Sequence, residues 1–418
     1  MNLRKTIVLV AAVAGLGVLA LSIGTGASGA APRAHAAVAQ QCSSVDNSPP
    51  NHSNPLGSTN GNPLAYSHLF REVPWQFGGD AANVIANTVG EGSLTHRQGG
   101  TPSTWQQYKA HVDAMHLTGS KAFVVHNLEK IANYPQPHQF SLYTAGGSPD
   151  QIFTQTQNYL CRMQRTDPTA QAVITTYFIK HAGCNSGDQP NFQGEVQALK
   201  AAIGNFPALI FVEEDAIDTI CWSNQGAVSG RASLLKYEID NLSQLPHALL
   251  YVEGGVSDAN SADQAARVLN AADARKIRGF FLNDTHFSWA YKEIKFGNQI
   301  SAKTGGLHFV VDTRSDGNGP KLNPNPVTQG IEQLCNPPGR ALGPKPGPSD
   351  GRFYGLFSPH LDGFVWVTTP GESTSPTCPG RSGHWANSGI FDPGIGLDFA
   401  SHANDRIGPS PKYKSRPW

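Results

Sequence analysis

Three consecutive acids close an apolar run in this chain: Ala208-Leu209-Ile210-Phe211-Val212 leads directly into Glu213-Glu214-Asp215. A continuous hydrophobic run of this kind suits a strand buried on both faces. Side chains on a strand alternate, so the pattern puts Glu213 and Asp215 on one side and Glu214 on the other. Carboxylates crowded at a strand end repel one another, and burial penalises their charge further. Both effects raise a pKa, which is what a carboxylic general acid needs near neutral pH. The competing reading is an acidic strand-to-helix turn, whose carboxylates favour the N-terminus of the next helix.

The elements that would position these acids repeat along the chain. Apolar runs at residues 122–125, 140–143, 172–178, 208–212, 248–252, 279–282, 307–311 and 364–367 read as strands. Helical patterns fall between most of them, at 151–165, 192–203, 231–242, 262–274 and 290–304. In the first of these, Ile152, Tyr159, Leu160 and Met163 share one face. Ser261 is placed to cap the fourth, its hydroxyl accepting from a free backbone N–H. Strands alternating with helices predict a parallel sheet with right-handed crossovers, and this many units predict closure into an α/β barrel. Chemistry in such folds lies at the C-terminal ends of the strands. The polar residues there are Tyr177, Asp215, Glu253, Asn283, Asp312 and, slightly later, Glu372.

Arg4 and Lys5 precede an apolar stretch from Thr6 to about Ile23, and Ala34-His35-Ala36 offers a cleavage site. The segment 1–36 therefore reads as a secretory signal peptide, and an uncleaved anchor is the alternative. Residues 37–62, rich in Ser, Asn, Pro and Gly, read as an N-terminal arm, leaving 63–418 as one barrel-like domain. The expected product is a secreted monomer with no membrane span after signal cleavage. The formal net charge is +0 and no basic run occurs, which argues against nucleic acid as a partner. Six cysteines in an exported chain imply up to three disulfides, whose pairing spacing alone does not fix. No His/Cys cluster has metal-ligand spacing, and no cofactor is implied. His126, His181 and His286 fall near predicted strand ends and read as hydrogen-bonding surface residues. Trp222, Trp289 and Trp385 could stack on a sugar ring or pack in the core.

Four ordered motifs resemble one family. Cys335-Asn336-Pro337-Pro338-Gly339-Arg340-Ala341-Leu342-Gly343 is similar to the Trp-Cys-Asn-Pro-Pro-Gly-Arg-Ala-Leu-Gly of glycoside hydrolase family 6, the inverting β-1,4-glucanases and cellobiohydrolases. Glu293-Ile294-Lys295-Phe296-Gly297-Asn298-Gln299-Ile300-Ser301 resembles that family's helix after its asparagine strand. His308-Phe309-Val310-Val311-Asp312-Thr313, followed by Gly317-Asn318-Gly319-Pro320, resembles its Asp-Thr-Ser-Arg-Asn-Gly-x-Gly-Pro turn. Trp366-Val367 with Pro370-Gly371-Glu372-Ser373 resembles its Trp-Val-Lys-x-Pro-Gly-Glu-Ser-Asp. The similarity covers about residues 62–400.

The resemblance implies a distorted α/β barrel with a substrate groove across the strand ends. It also implies inverting hydrolysis of a polysaccharide or oligosaccharide, with one carboxylic acid protonating the leaving oxygen and a base activating water on the opposite face. Asp215 falls on the family's general acid and Glu213 on the acid two residues before it. Tyr177 falls on a tyrosine packed against the distorted sugar, and Asn283 and Glu372 on polar residues lining the groove. Glu372 and Glu253 are candidates for the base, and Trp289 for a sugar platform. The family pattern also implies the disulfides Cys184–Cys221 and Cys335–Cys378, which leaves Cys42 with Cys161.

The departures are as specific. The family's Asp-Arg-Asp before a cysteine is His181-Ala182-Gly183 here, so the aspartate that tunes the acid is missing. The aspartate after Gly-Glu-Ser, the base or its assistant, is Thr374, and the lysine after Trp-Val is Thr368. The aspartate of Tyr-Leu-Asp-Ala-Gly-His is Glu253, and the histidine is Val256. Leu334 and Ala259 stand where tryptophans are expected, and Ser315 where an arginine is, with Arg314 displaced by one position. Two outcomes fit: a rebuilt site that cleaves some glycan, or a carbohydrate-binding relative without catalysis.

Overall fold

The computed structural model describes residues 61–66, 68–71, 80–91, 104–141, 148–179, 184–187, 189–322, 334–378, 381–409 and 418. The signal segment 1–36 and the arm up to residue 60 lie outside these, as do Cys42, His181 and Gly183.

An eight-stranded sheet organises the chain. Its parallel strands are β1 (His138–Ser141), β2 (Ala172–Tyr177), β3 (Ala208–Val212), β4 (Ala248–Glu253), β5 (Gly279–Leu282) and β6 (His308–Asp312). The sheet ends on β10 (Leu361–Val365), parallel to β6, and on β7 (Gly347–Pro348), antiparallel to β10. The short strands β8 (Arg352–Phe353) and β9 (Leu356–Phe357) form a separate hairpin. Alternation along the parallel strands builds two cores. Val173, Leu209, Phe211, Tyr251, Phe281, Val310 and Val365 face inward and fill the curl with Leu64. Their neighbours Ile174, Ala208, Ile210, Val212, Leu250, Phe280 and Phe309 face the surrounding helices.

The main outer helices are α4 (Pro149–Thr166), α5 (Phe192–Ile203), α6 (Gln225–Leu242), α7 (Ala262–Ala271) and α8 (Ala290–Lys303). Local chemistry fixes their starts. Ser148 accepts from Gln151 N with Pro149 in the first turn. Ser261 and Gln264 form a reciprocal capping box at α7. A second helical layer, α1 (Asp80–Val89), α2 (Trp105–Asp113), α3 (Gly119–Ala132) and α9 (Pro393–Ser401), packs around Trp366 and Phe399.

The sequence-predicted strand at 122–125 is part of α3. Val125, Leu128, Ile131 and Ala132 are its buried apolar residues, spaced three and four apart, and that longer period outweighs a four-residue apolar run. The distorted α/β barrel expected from the resemblance is what the sheet makes, but it is curled rather than closed. No strand pairing joins β1 to β7 among the described residues. The Thr175 hydroxyl of β2 instead bonds the Val367 carbonyl just beyond β10. A cavity of about 260 Å³ lies along this seam, walled by Val173, Phe211, Val365, Trp366, Tyr134 and Arg71. It is not where the acids gather. No helix among the described residues is long and apolar enough to cross a membrane.

Candidate active site

The acids collect where β3, β4, β5 and β6 end. Strand geometry stops at Val212, because Glu213 (φ 60°) and Asp215 (φ 61°) are both in the left-handed region. Asn283, just after β5, has φ 72°. Such backbone costs on the order of 1 kcal/mol or more per non-glycine residue and collects at functional sites. Its consequence here is that strand alternation no longer predicts where the acids point. The Glu213 carboxylate accepts from Phe178 N at 2.8 Å and from Ile179 N at 2.8 Å, and Glu213 N donates to the Thr176 hydroxyl. Thr176 in turn donates to Glu238 of α6, on the helix side of the sheet. Asp215 instead accepts at 3.1 Å from the Tyr177 hydroxyl, whose side chain projects the other way from β2. The expected common face for Glu213 and Asp215 is therefore not realised. Glu213 is fully buried and anchors the β2 end, while Asp215 keeps solvent access.

Around Asp215 the charges are unbalanced. Asp215 N donates to Asp284 Oδ2 at 3.1 Å. Asp218, one turn on, accepts from the Thr285 hydroxyl at 3.1 Å and lies 3.8 Å from His286 Nε2. His286 Nδ1 is 2.9 Å from Asp258 Oδ1. Glu253 accepts from Ile217 N beneath the same turn, and its other oxygen is buried without a partner. Glu214 accepts from Gln139 Nε2. Two guanidiniums face this group: Arg314 donates to the Asp284 carbonyl and lies 3.7 Å from Asp312 and 3.9 Å from Glu372, and Arg231 of α6 donates to the Ala216 carbonyl near Glu213, Glu253 and Asp218.

Burial pushes the Asp215 carboxyl up, against hydrogen bonds from Thr285 and Tyr177 that favour its charged form. Burial, and then the neighbouring Asp215 charge, push Glu214 and Asp218 well above the carboxylate range. Burial with the Asp284 and Asp218 charges does the same to Glu253. Asp284 is pushed up to about 7 by burial and by Asp215, and Asp312 to about 8 by burial, with Arg314 opposing. Of Glu213, Glu214, Asp215, Glu253 and Asp284, only Asp215 is not buried, so it is the carboxyl among them that a bound molecule can reach.

The remaining sequence-derived candidates divide by access. Glu253 has no exposed surface, so a water on the substrate side does not reach it. The Asn283 amide is consumed by the Ser288 and Asp312 carbonyls and by Ser288 N, again with almost no exposure. Glu372 is half-buried and accepts from Thr369 N at 3.0 Å while facing Arg314. Asp312 is buried, accepting from Arg314 N and Val367 N. Trp289 is half-buried before α8 and lies against Gly319, where a Cβ would stand 2.1 Å from its ring. Trp222 packs at the edge of the helical core, Trp385 takes Arg381 over its ring, and His126 is exposed on α3 rather than at a strand end.

Across the rim, Thr374 is locked by Asn336. Its hydroxyl donates to Asn336 Oδ1 at 2.9 Å and accepts from Asn336 N at 3.1 Å. The disulfide Cys335–Cys378 braces this clamp and Cys184–Cys221 braces the acid side, the two pairings that the resemblance implied. Cys161 is also disulfide-bonded.

A family model for glycosyl hydrolases family 6 matches residues 181–388. The fold agrees: the endoglucanase Cel6 of Mycobacterium tuberculosis, solved with a methyl-cellobiosyl-4-deoxy-4-thio-β-D-cellobioside, superposes with a TM-score of 0.60 at 27% identity, covering 82% of this chain and 99% of that one. The chain belongs to glycoside hydrolase family 6. Endoglucanase A of Cellulomonas fimi is 30% identical over 268 residues, which is 62% of this chain and 53% of that protein. Endoglucanase 1 of Streptomyces sp. (strain KSM-9) is 26% identical over 274 residues, 63% of this chain and 70% of its own length. The chain thus spans about half of the first of these family 6 relatives. Among the described residues, no group of three or more His, Cys, Asp or Glu is arranged to hold a metal ion.

Asp218, Asp258 and Asp284 are the site residues that the sequence patterns did not single out. Each had a faint signal. Asp284 directly follows the family 6 asparagine position at Asn283, and Asp218 lies one helical turn beyond Asp215.

Proposed function

We propose that this chain is a secreted hydrolase of β-1,4-linked glucan, acting by an inverting acid/base mechanism with Asp215 as general acid. The observation that carries the reading is Asp215 itself. It is the accessible carboxyl of the buried row at the strand ends, its charge is disfavoured by burial, and the Tyr177 hydroxyl fixes its orientation. A carboxyl that stays protonated can donate to the glycosidic oxygen as the bond to the anomeric carbon breaks. Tyr177, beside it, would pack against the sugar. Glu372 is the accessible carboxylate on the other side of Arg314 and is the candidate to orient the attacking water. Glu253 and Glu213 would act from beneath, by holding the shape of the turn through their backbone hydrogen bonds. Trp289 would offer an aromatic face, and Asn283 would hold the β5 end in place. The signal segment supports export, and the reading needs neither metal nor cofactor.

The test is release of reducing sugar from cellulose, mixed-linkage glucan and soluble cello-oligosaccharides. Activity in the wild type that falls by at least about 10²-fold in Asp215→Asn supports the reading, that being the usual contribution of a positioned acid. Silence on every substrate would refute it. The second reading, a non-catalytic glycan binder, is favoured by Thr374, which stands where the family has an aspartate, carries no carboxylate to activate a water, and has its hydroxyl proton committed to Asn336. That reading predicts glycan affinity without turnover, unchanged in Asp215→Asn.

A further inference from the structure

The family's tuning aspartate is absent here, because its position is Gly183. A different carboxyl stands against the acid. We propose that Asp284 forms a proton-sharing pair with Asp215, so that one proton stays with the pair at neutral pH and the general acid remains armed. The inference rests on Asp215 being the acid.

Position carries the argument. Asp284 is wholly buried directly after β5, and its Oδ2 accepts from the backbone N–H of Asp215 itself at 3.1 Å. The contact fixes the two residues relative to each other whatever the Asp215 side chain does. The other Asp284 oxygen, Oδ1, is buried with no partner. Arg314 gives its hydrogen bond to the Asp284 carbonyl rather than to the carboxylate. The adjoining Thr285 donates to Asp218, and its bond to Asp215 favours the anion there, so it works against retention of the proton. Two anions so placed, one wholly desolvated, cost more than one anion and one acid, and the retained proton belongs to the pair.

The other charged groups facing Asp215 are less suited to this task. Glu214, on the same stretch, is engaged by Gln139. Asp218 is shared between Thr285 and His286, and His286 with Asp258. Glu253 of β4 is tied to Ile217 N. Tyr177 of β2 donates to Asp215 and so favours its ionised form. Arg314, after β6, also favours the anion. Asp284 is thus the neighbour that opposes loss of the proton while being anchored to the acid's own backbone.

The experiment is a ¹³C NMR titration of the Asp215 carboxyl in the aspartate-labelled full chain, the resonance being assigned by its loss in Asp215→Asn. In Asp284→Asn, which keeps an acceptor for Asp215 N, the Asp215 midpoint should fall toward the ordinary aspartate range. Asp263→Asn, an exposed control, should leave it in place. Asp284→Ser repeats the test if the amide variant does not fold. An unchanged or higher midpoint overturns the proposal, since it would mean that Asp284 holds its own proton beside an ionised Asp215. This titration needs no turnover, so its failure is separate from any failure to find glycan hydrolysis. Where hydrolysis is measured, the alkaline limb of the kcat/KM profile should move to lower pH in Asp284→Asn, with activity at acidic pH retained. A purely structural role would lower the rate at every pH and leave the limb where it was.

Discussion

The barrel carries a buried charge cluster at each end, and the two follow opposite rules. At the N-terminal ends of β5, β6 and β10, Asp362 receives two 2.8 Å hydrogen bonds from Arg278 and one of 2.6 Å from Tyr251, and lies 3.0 Å from His308 Nδ1. Burial alone would push this carboxyl up, yet Arg278, His308 and Tyr251 together hold it below the usual aspartate range. At the C-terminal ends, Glu214, Asp215, Asp218, Glu253 and Asp284 are pushed up, because burial acts on all of them and the guanidiniums of Arg314 and Arg231 do not offset it. Both ends are desolvated, so donors decide the sign. The paired end holds strands together. The carboxyl-rich end stores protons, at a cost in stability of the kind that collects at functional sites.

The contrast breaks most visibly by removing one partner at each end. Asp362→Ala should cost about 3–5 kcal/mol, because it removes the shared acceptor of the half-buried Arg278 and of the wholly buried Tyr251 hydroxyl. Glu253→Gln, at the other end, should leave urea-unfolding stability within about 1 kcal/mol of wild type or raise it, since it replaces a buried carboxyl whose ionisation is already disfavoured with a neutral amide of the same shape. Equal losses in the two variants would show that both clusters are structural. The next effect is covalent. Cys335→Ser with Cys378→Ser opens a loop with a sequence separation of 43. In the chain-entropy model this costs about 4 kcal/mol, read as a lower Tm. The same variant should weaken glycan binding, because the bond braces the Asn336–Thr374 clamp beside Glu372.

The pH dependence sharpens the comparison. Asp284 and Glu293 at about 7 and Asp312 at about 8 are raised above their unfolded values, so the native state binds more protons than the unfolded chain between about pH 4 and 8. Their linkage makes the protein less stable as pH rises through that window. Asp362 has the opposite sign: its contribution is present above the unfolded aspartate value and is lost on acidification below it. Thermal unfolding should therefore show Tm falling from pH 5 to pH 8, with the slope reduced in Asp312→Asn. The last change is Thr374→Asp, which returns a carboxylate to the family position and should raise glycan turnover, by up to about 10²-fold if it serves as a positioned base, at a modest loss of stability from the broken clamp.

Much of this was legible in the chain. The apolar runs of β3 to β6 and the helices between them carry their periodicity in the sequence, and Ser261 announces its cap. The helix at 192–203 was found to the residue because Phe192, Val196, Leu199 and Ile203 keep a single period to its end. The cysteine pairs followed from the family pattern. What was hidden depends on backbone that leaves the strand path. Left-handed Glu213 and Asp215 separate two acids that alternation would place together. Asp284 meets Asp215 across 69 residues, through a turn with no sequence period. The open seam is likewise a matter of pairing between distant strands, which no local pattern encodes.

The most direct test of the central claim is anomer-resolved ¹H NMR of the wild type and Asp215→Asn acting on a soluble cello-oligosaccharide. An inverting cut of a β-1,4 linkage places water on the opposite face, so the wild type should release the α-anomer first, with mutarotation following. Asp215→Asn should release none on the same timescale. Initial release of the β-anomer, or equal product from Asp215→Asn, would contradict the assignment of Asp215 as the general acid of an inverting enzyme.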